Sequence, residues 1–226
     1  VTVDNNGVLH YVTTIAPAAS SHMDSILYNY THYGFGNLIN DDIDKPWIYD
    51  FTTDGNGTWN QKTIGKLFTR NIETADVNPD PGFWTYDGAT VQVYSNRIRC
   101  SRTADGANIF YSWTDGDTNS VVSGAYHPNT NPNMLYKGFN VGTGLFTPTK
   151  ELSSNDSQEG GYWFHYTSTT AINVGADFNL PMVYISSKDG NPILSPPTGQ
   201  PTWPGVDFNY VFDMNILSTE FTEVIA

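Results

Sequence analysis

The stretch from Arg97 to Leu152 most constrains what this chain can fold into. An alternating run ending at Arg102 meets an aromatic run, Ile109 to Trp113, across Asp105-Gly106. Such a dipeptide between two such runs predicts a hairpin, because glycine accepts the positive φ the turn needs. A polar loop follows, then a run from Asn133 to Asn140, a glycine turn through Gly142 and Gly144, and a last short run. Together these predict one four-stranded antiparallel unit. No run carries a helical period, and aromatics at 14% with 14 Tyr suit pleated strands joined by tight turns.

The same unit is readable on either side. Residues 1–70 open with a strand, an Asn6-Gly7 turn and a second strand, and a later hairpin runs from Pro46 to Asn60. Tyr49, Gly57 and Trp59 of that hairpin match Tyr136, Gly144 and Phe146, each pair 87 positions apart. An aromatic, a turn glycine and an aromatic at fixed spacing are what duplication of one unit leaves. Residues 71–87, with Pro79 and Pro81, read as a surface linker, since proline cannot donate to a ladder. The second unit takes residues 88–152. A third, 160–219, holds strand runs from Tyr162, Leu180 and Asp207, interrupted by the insertion bearing Pro196, Pro197, Pro201 and Pro204.

Three such units predict an all-β fold, a β-propeller or part of one, built from repeated four-stranded antiparallel blades. Three are fewer than the four to eight blades that usually close a ring. The chain also begins at Val1 inside a strand pattern, without Met, so it reads as a segment of a longer protein or a mature product. An open ring leaves sheet edges unpaired, which predicts contacts along them with the remaining part of the same protein or with partner chains.

Charge narrows the partners. The net charge is −13, the pI is near 4.4, and Lys and Arg total ten, which argues against a phosphate-binding surface and so against nucleic acid. No run approaches the ~20 apolar residues of a membrane span. The single cysteine, Cys100, lies in a strand and cannot form an internal disulfide, so it reads as a small buried hydrophobe.

The acidic loops are candidate hard-cation sites. Asp76, Asn78 and Asp80, and likewise Asp115, Asp117 and Asn119, place oxygen ligands at alternate positions in Gly- or Pro-bearing loops, as calcium requires, though neither continues to an EF-hand glutamate. Asp41, Asp42 and Asp44 form a third cluster; no cofactor is required by any motif. The histidines His10, His22, His32, His127 and His165 lack zinc-type spacing. His10, His32 and His165 sit in aromatic strands, where a satisfied structural histidine is expected. No nucleophile elbow, P-loop or dinucleotide fingerprint is present, and no carboxylate pair stands out for glycoside hydrolysis. Trp203, in the Pro-rich insertion, and Tyr126, in the polar loop after Trp113, are the aromatics expected on loops, where rings can stack on a ligand.

Three turns resemble the Asp box of sialidase-type β-propellers, a Ser/Thr-x-Asp-x-Gly-x-Thr-Trp pattern. Thr52, Asp54, Thr58 and Trp59 fit it, with Asn56 where glycine is expected; Thr103 with Asp105, and Ser187 with Asp189, keep its first half. In that motif the hydroxyl and carboxylate tie the turn's N–H groups while the final aromatic packs between blades. In texture, around Asp4 to His10 and Arg102 to Asp115, the chain resembles the propeller region of large secreted Bacteroidota proteins exported by the type 9 secretion system. That resemblance implies a secreted or cell-surface location. A sialidase would also gather three arginines from different blades, whereas Arg97, Arg99 and Arg102 fall in one segment.

The expectation is therefore a non-catalytic secreted or cell-surface module that binds protein or glycan. The alternative is a carbohydrate-active, glycosidase- or sialidase-like propeller whose catalytic residues lie partly outside this segment.

Overall fold

The computed structural model describes residues 1–15, 47–67, 83–86, 89–92, 98–115, 121–122, 125–126, 133–152, 164–187, 206–211 and 214–225. These residues are all-β, apart from one 3-10 turn at Ser218–Glu220. The first sheet is an antiparallel meander of β1 (Thr2–Val3), β2 (Leu9–Ile15), β3 (Trp47–Thr53) and β4 (Asn60–Lys66), in that order. Its first turn is made by Asp4, whose Oδ1 accepts the N–H groups of Asn6 and Val8, both at 2.9 Å, while Gly7 supplies φ of 78°. A two-stranded ladder follows, β5 (Phe83–Tyr86) against β6 (Ala89–Gln92). Aromatic β-formers thus give strand structure to the end of the segment expected to be linker.

The second unit contributes β7 (Arg99–Thr103), β8 (Asn108–Asp115), β11 (Asn133–Asn140) and β12 (Lys150–Glu151), with the small hairpin β9 (Val121–Val122) and β10 (Ala125–Tyr126) in its loop. The third unit does not form a single sheet. Its β13 (Phe164–Thr167), β16 (Met182–Ser187) and β17 (Val206–Val211) make a three-stranded sheet, whereas β14 (Thr170–Val174), β15 (Asp177–Asn179) and β18 (Asn215–Ile216) extend the second. The result is a seven-stranded sheet in the order β12-β11-β8-β7-β14-β15-β18. Its β14 runs parallel to β7, pairing Thr170 with Arg102 and Ala171 with Thr103, an exception to the antiparallel expectation.

This long sheet curls into a half-barrel. Phe110, Met134 and Tyr136 from one end meet Ala171, Leu180, Met214 and Ile216 from the other across its concave side. The C-terminal tail then fastens the curl. The Phe146 N–H donates to the Glu223 carbonyl at 2.8 Å, Lys137 reaches the Glu223 carboxylate at 2.9 Å, and Lys150 pairs with Glu220.

Strand β8 is the centre of the packing, with every residue from Asn108 to Asp115 buried. Because successive side chains point to opposite faces, Ile109, Tyr111 and Trp113 pack on Ile48, Ile64 and Leu67 of the first sheet, while Phe110 enters the half-barrel core. Ile48, Leu135 and Phe139 share the first of these clusters. Positions 87 residues apart in the two meanders, 48 and 135, thus belong to the same apolar cluster. The turn glycines of the repeat, Gly57 and Gly144, both have positive φ, 87° and 70°.

Candidate functional site

A group of buried ionisable side chains lies in the seam between the first sheet and the curled one. Inward positions of β3 read Ile48, Asp50, Thr52, so the strand's alternation buries a carboxylate. Asp50 is 0% and His10, on the adjacent β2, 1% exposed. His10 Nδ1 lies 2.6 Å from Asp50 Oδ2, and the Tyr111 hydroxyl donates to the same oxygen at 2.7 Å. His10 Nε2 faces Asp4 Oδ2 at 3.4 Å, while the other Asp4 oxygen is taken by its own turn. Asp50 Oδ1 is buried with no hydrogen-bond partner.

Two neighbours register this charge. Burial, then the Asp50 carboxylate, pushes the Cys100 thiol up to about 12. The same causes in the same order hold the Tyr111 phenol well above its ordinary value, so it stays a donor. A nucleophile or general base needs a low-energy path to substrate, and a group sealed at 0–1% exposure has none in this conformation. What the arrangement does is cross-link β2, β3 and β8. On the other face of β8 a second histidine ties β13 to it. His165, 0% exposed, has Thr114 Oγ1 2.9 Å from Nδ1 and Ser112 Oγ 3.3 Å from Nε2.

The Asp-box-like turns fall in three different places. At the β7–β8 turn, Thr103 Oγ1 donates to Asp105 Oδ1 at 2.6 Å, the Ala107 N–H donates to that oxygen at 3.0 Å, and the Asn108 N–H donates to Thr103 Oγ1 at 3.0 Å. The Thr103 hydroxyl first and the Ala107 N–H second hold the Asp105 carboxyl below its ordinary value. Gly106 has φ of 72°, and a Cβ there would sit 2.8 Å from the Asn5 backbone nitrogen, so this turn also seats the β1–β2 turn. After β3, the hydroxyl that takes the Gly55 N–H belongs to Thr53, at 3.1 Å, while Thr52 is buried in the seam. Asp54 accepts the Asn56 N–H at 2.9 Å. Trp59 is 55% exposed, not packed between sheets, because the chain turns before β4 with its residues 54–60 all in solvent. Ser187 ends β16, and Asp189 lies outside the described residues.

Most of the other candidates lie outside the described residues. Asp115 closes β8 and is 3% exposed. Its companions Asp117 and Asn119 lie outside the described residues, as do Asp76, Asn78, Asp80, Asp41, Asp42, Asp44 and Trp203. Tyr126 pairs with Val121 in the β9–β10 hairpin. Among the described residues no group of three or more His, Cys, Asp or Glu is placed to hold a metal ion. No helix of the described residues is long and apolar enough to cross a membrane.

The outer face of the first sheet carries what sequence reasoning did not single out. Tyr11 and Ile15, 47% and 45% exposed, pair with Phe51 and Trp47, with Thr13 and Tyr49 between them. Tyr49 and Phe51 lie 5.9 Å apart between ring centroids, and the Lys66 ammonium sits 4.8 Å from the Trp47 ring. The readable signal was the alternation itself: odd positions of β2 and β3 bear the rings, even positions the seam. Comparison of the chain with protein-family models, with curated proteins and with solved structures finds no match.

Proposed function

We propose that this chain is a non-catalytic interaction module of a secreted or cell-surface protein, which binds protein or glycan through the outer face of its first sheet. The observation that carries the reading is the division of that sheet. Its Asp4, His10 and Asp50 are sealed inward, and its rings, with Tyr11 at 47% exposure, face outward. Aromatic rings offer large contact area with little side-chain entropy to lose, which suits both sugar faces and protein anchors.

For the fold beyond all-β, the propeller reading draws support from two four-stranded meanders of blade size whose third-to-fourth-strand turns both carry a positive-φ glycine, Gly57 and Gly144. The shared apolar cluster that holds Ile48, Leu135 and Phe139 from both meanders supports a two-layer sandwich closing on a curled sheet instead. In either arrangement the remaining part of the same protein or a partner chain is the expected neighbour of the sheet edges.

Glycan-array binding beside hydrolysis of a chromogenic sugar panel tests the functional reading. Binding that falls at least about tenfold in Tyr11→Ala, with no hydrolysis, supports it. Turnover of any sugar by the purified chain overturns it in favour of the carbohydrate-active alternative.

A further inference from the structure

The seam between the first sheet and β8 holds a histidine whose two ring nitrogens each face a carboxylate oxygen. Each acid is fixed as an acceptor by its other contacts. Asp4 Oδ1 accepts two backbone N–H groups, leaving Oδ2 toward His10 Nε2. Asp50 Oδ2 takes the Tyr111 hydroxyl as well as His10 Nδ1, and a proton on Asp50 would sit on Oδ1, which has nothing to donate to. A neutral imidazole has one donor nitrogen and one acceptor nitrogen. Facing two ionised carboxylates, it would set a lone pair against one of them.

We propose that His10 is held as an imidazolium between Asp4 and Asp50, and that this buried triad is a proton-operated latch joining the first sheet to the curled one. The groups facing it come from every surrounding element. The β1–β2 turn brings Asp4, β3 brings Asp50, β8 brings Tyr111, and β7 brings Cys100, with Arg102 donating to the Val3 carbonyl at 2.6 Å. From β4, Lys62 is the register partner of Asp50, and its ammonium lies 4.5 Å from the centroid of the Phe139 ring. That ring in turn is 6.4 Å from the His10 ring. The Val1 amino group lies close enough to act on Cys100.

With the proton in place, the two buried carboxylates face an imidazolium, and the Lys62 ammonium lies on the neighbouring strand. Removing it leaves two carboxylates and a lone pair in a sealed seam, an arrangement that costs several-fold more than it would in water. Adding a proton to either acid leaves the imidazolium with a donor and no acceptor. The latch is therefore closed over a bounded pH range and loosened on both sides of it.

Two measurements test this. Imidazole ¹⁵N NMR of the folded chain, with His10 assigned through its backbone, is expected to show protons on both ring nitrogens of His10 at pH 7 to 8, where a free histidine is neutral. A single-tautomer neutral ring at that pH overturns the proposal. Urea unfolding between pH 7 and 8, below the range in which the unfolded Cys100 thiol ionises, supplies the second readout. An imidazolium retained only by the folded state is released on unfolding, so the unfolding equilibrium constant rises by up to about tenfold per pH unit. His10→Gln is expected to lose that slope; a variant with the slope of the parent overturns the latch. If His10→Gln does not fold, the NMR result on the unaltered chain decides alone.

Discussion

Replacing Gly138 with alanine tests how the curled sheet is fastened. Gly138 lies in β11, and a Cβ built there meets two ring carbons of Phe221 at 3.0 Å and the Thr147 methyl at 3.1 Å. Carbon atoms rest comfortably at about 3.5 to 4.0 Å, so the added methyl intrudes by roughly half an ångström or more. The ring cannot simply swing aside, because it packs edge-on against Phe178 at 6.1 Å and belongs to the tail that the Phe146–Glu223 backbone bonds hold down. Overpacking of this kind costs about 1 to 3 kcal/mol, and the gain from replacing glycine in a strand offsets about 0.5 to 1 of it. Gly138→Ala is expected to lower stability by about 1 to 2 kcal/mol in urea denaturation, with an unchanged m-value. Combining it with Phe221→Ala removes most of the clash, so the double variant is expected to lose about 1 kcal/mol less than the two single losses together. A Gly138→Ala protein as stable as its parent, or a strictly additive double variant, refutes the docked tail.

Further outcomes follow from the seam, the turns and the loops. With its thiol pushed up to about 12 from an ordinary 9.0, the half-buried Cys100 carries far less thiolate than a free cysteine, so alkylation at pH 8 is expected to be much slower folded than in denaturant; equal rates refute the seam environment assigned to it. Tyr111→Phe leaves Asp50 with only His10 as donor and is expected to cost about 1 to 3 kcal/mol by urea denaturation, against under 0.5 for Trp59→Ala on the exposed turn; the reverse ranking refutes the assigned burial. Asp105 is held below its ordinary value near 3.8, so its contribution is complete above that value and is lost as pH falls through the lower folded one. Carboxyl ¹³C NMR is expected to place its titration below 3.8, and a midpoint at or above that value refutes the turn geometry. Calcium titration reads the acidic loops directly: ligation by Asp76, Asn78 and Asp80 or by Asp115, Asp117 and Asn119 is expected to give heat and a rise in melting temperature, and the absence of both signals removes the calcium reading.

Strand content and turn positions were legible because their causes are local. Asn6-Gly7 and Asp105-Gly106 carry their own turn chemistry, and the alternation of β2 and β3 sorts inward from outward residues without reference to the rest of the chain. The division of the third unit between two sheets was not legible. Thr170–Val174 pairs in parallel with β7 because the half-barrel core draws Ala171 and Leu180 inward, and that is settled by long-range packing. The seam was hidden for the same reason. Asp4 and His10 are near in sequence, but Asp50 is 40 residues from His10 and Tyr111 is 61 from Asp50, and no motif links positions whose only common property is that strand order brings them together.

All of this architecture turns on β8 being enclosed on both faces and paired along both edges. Hydrogen exchange resolved by residue tests that most directly. The amides of Ile109 to Thr114 are expected to exchange only through global unfolding and to be among the slowest in the chain, while those of the short edge strands β1 and β12 exchange through local opening. If the β8 amides exchange as fast as the edge strands do, β8 is not the strand on which the layers are stacked.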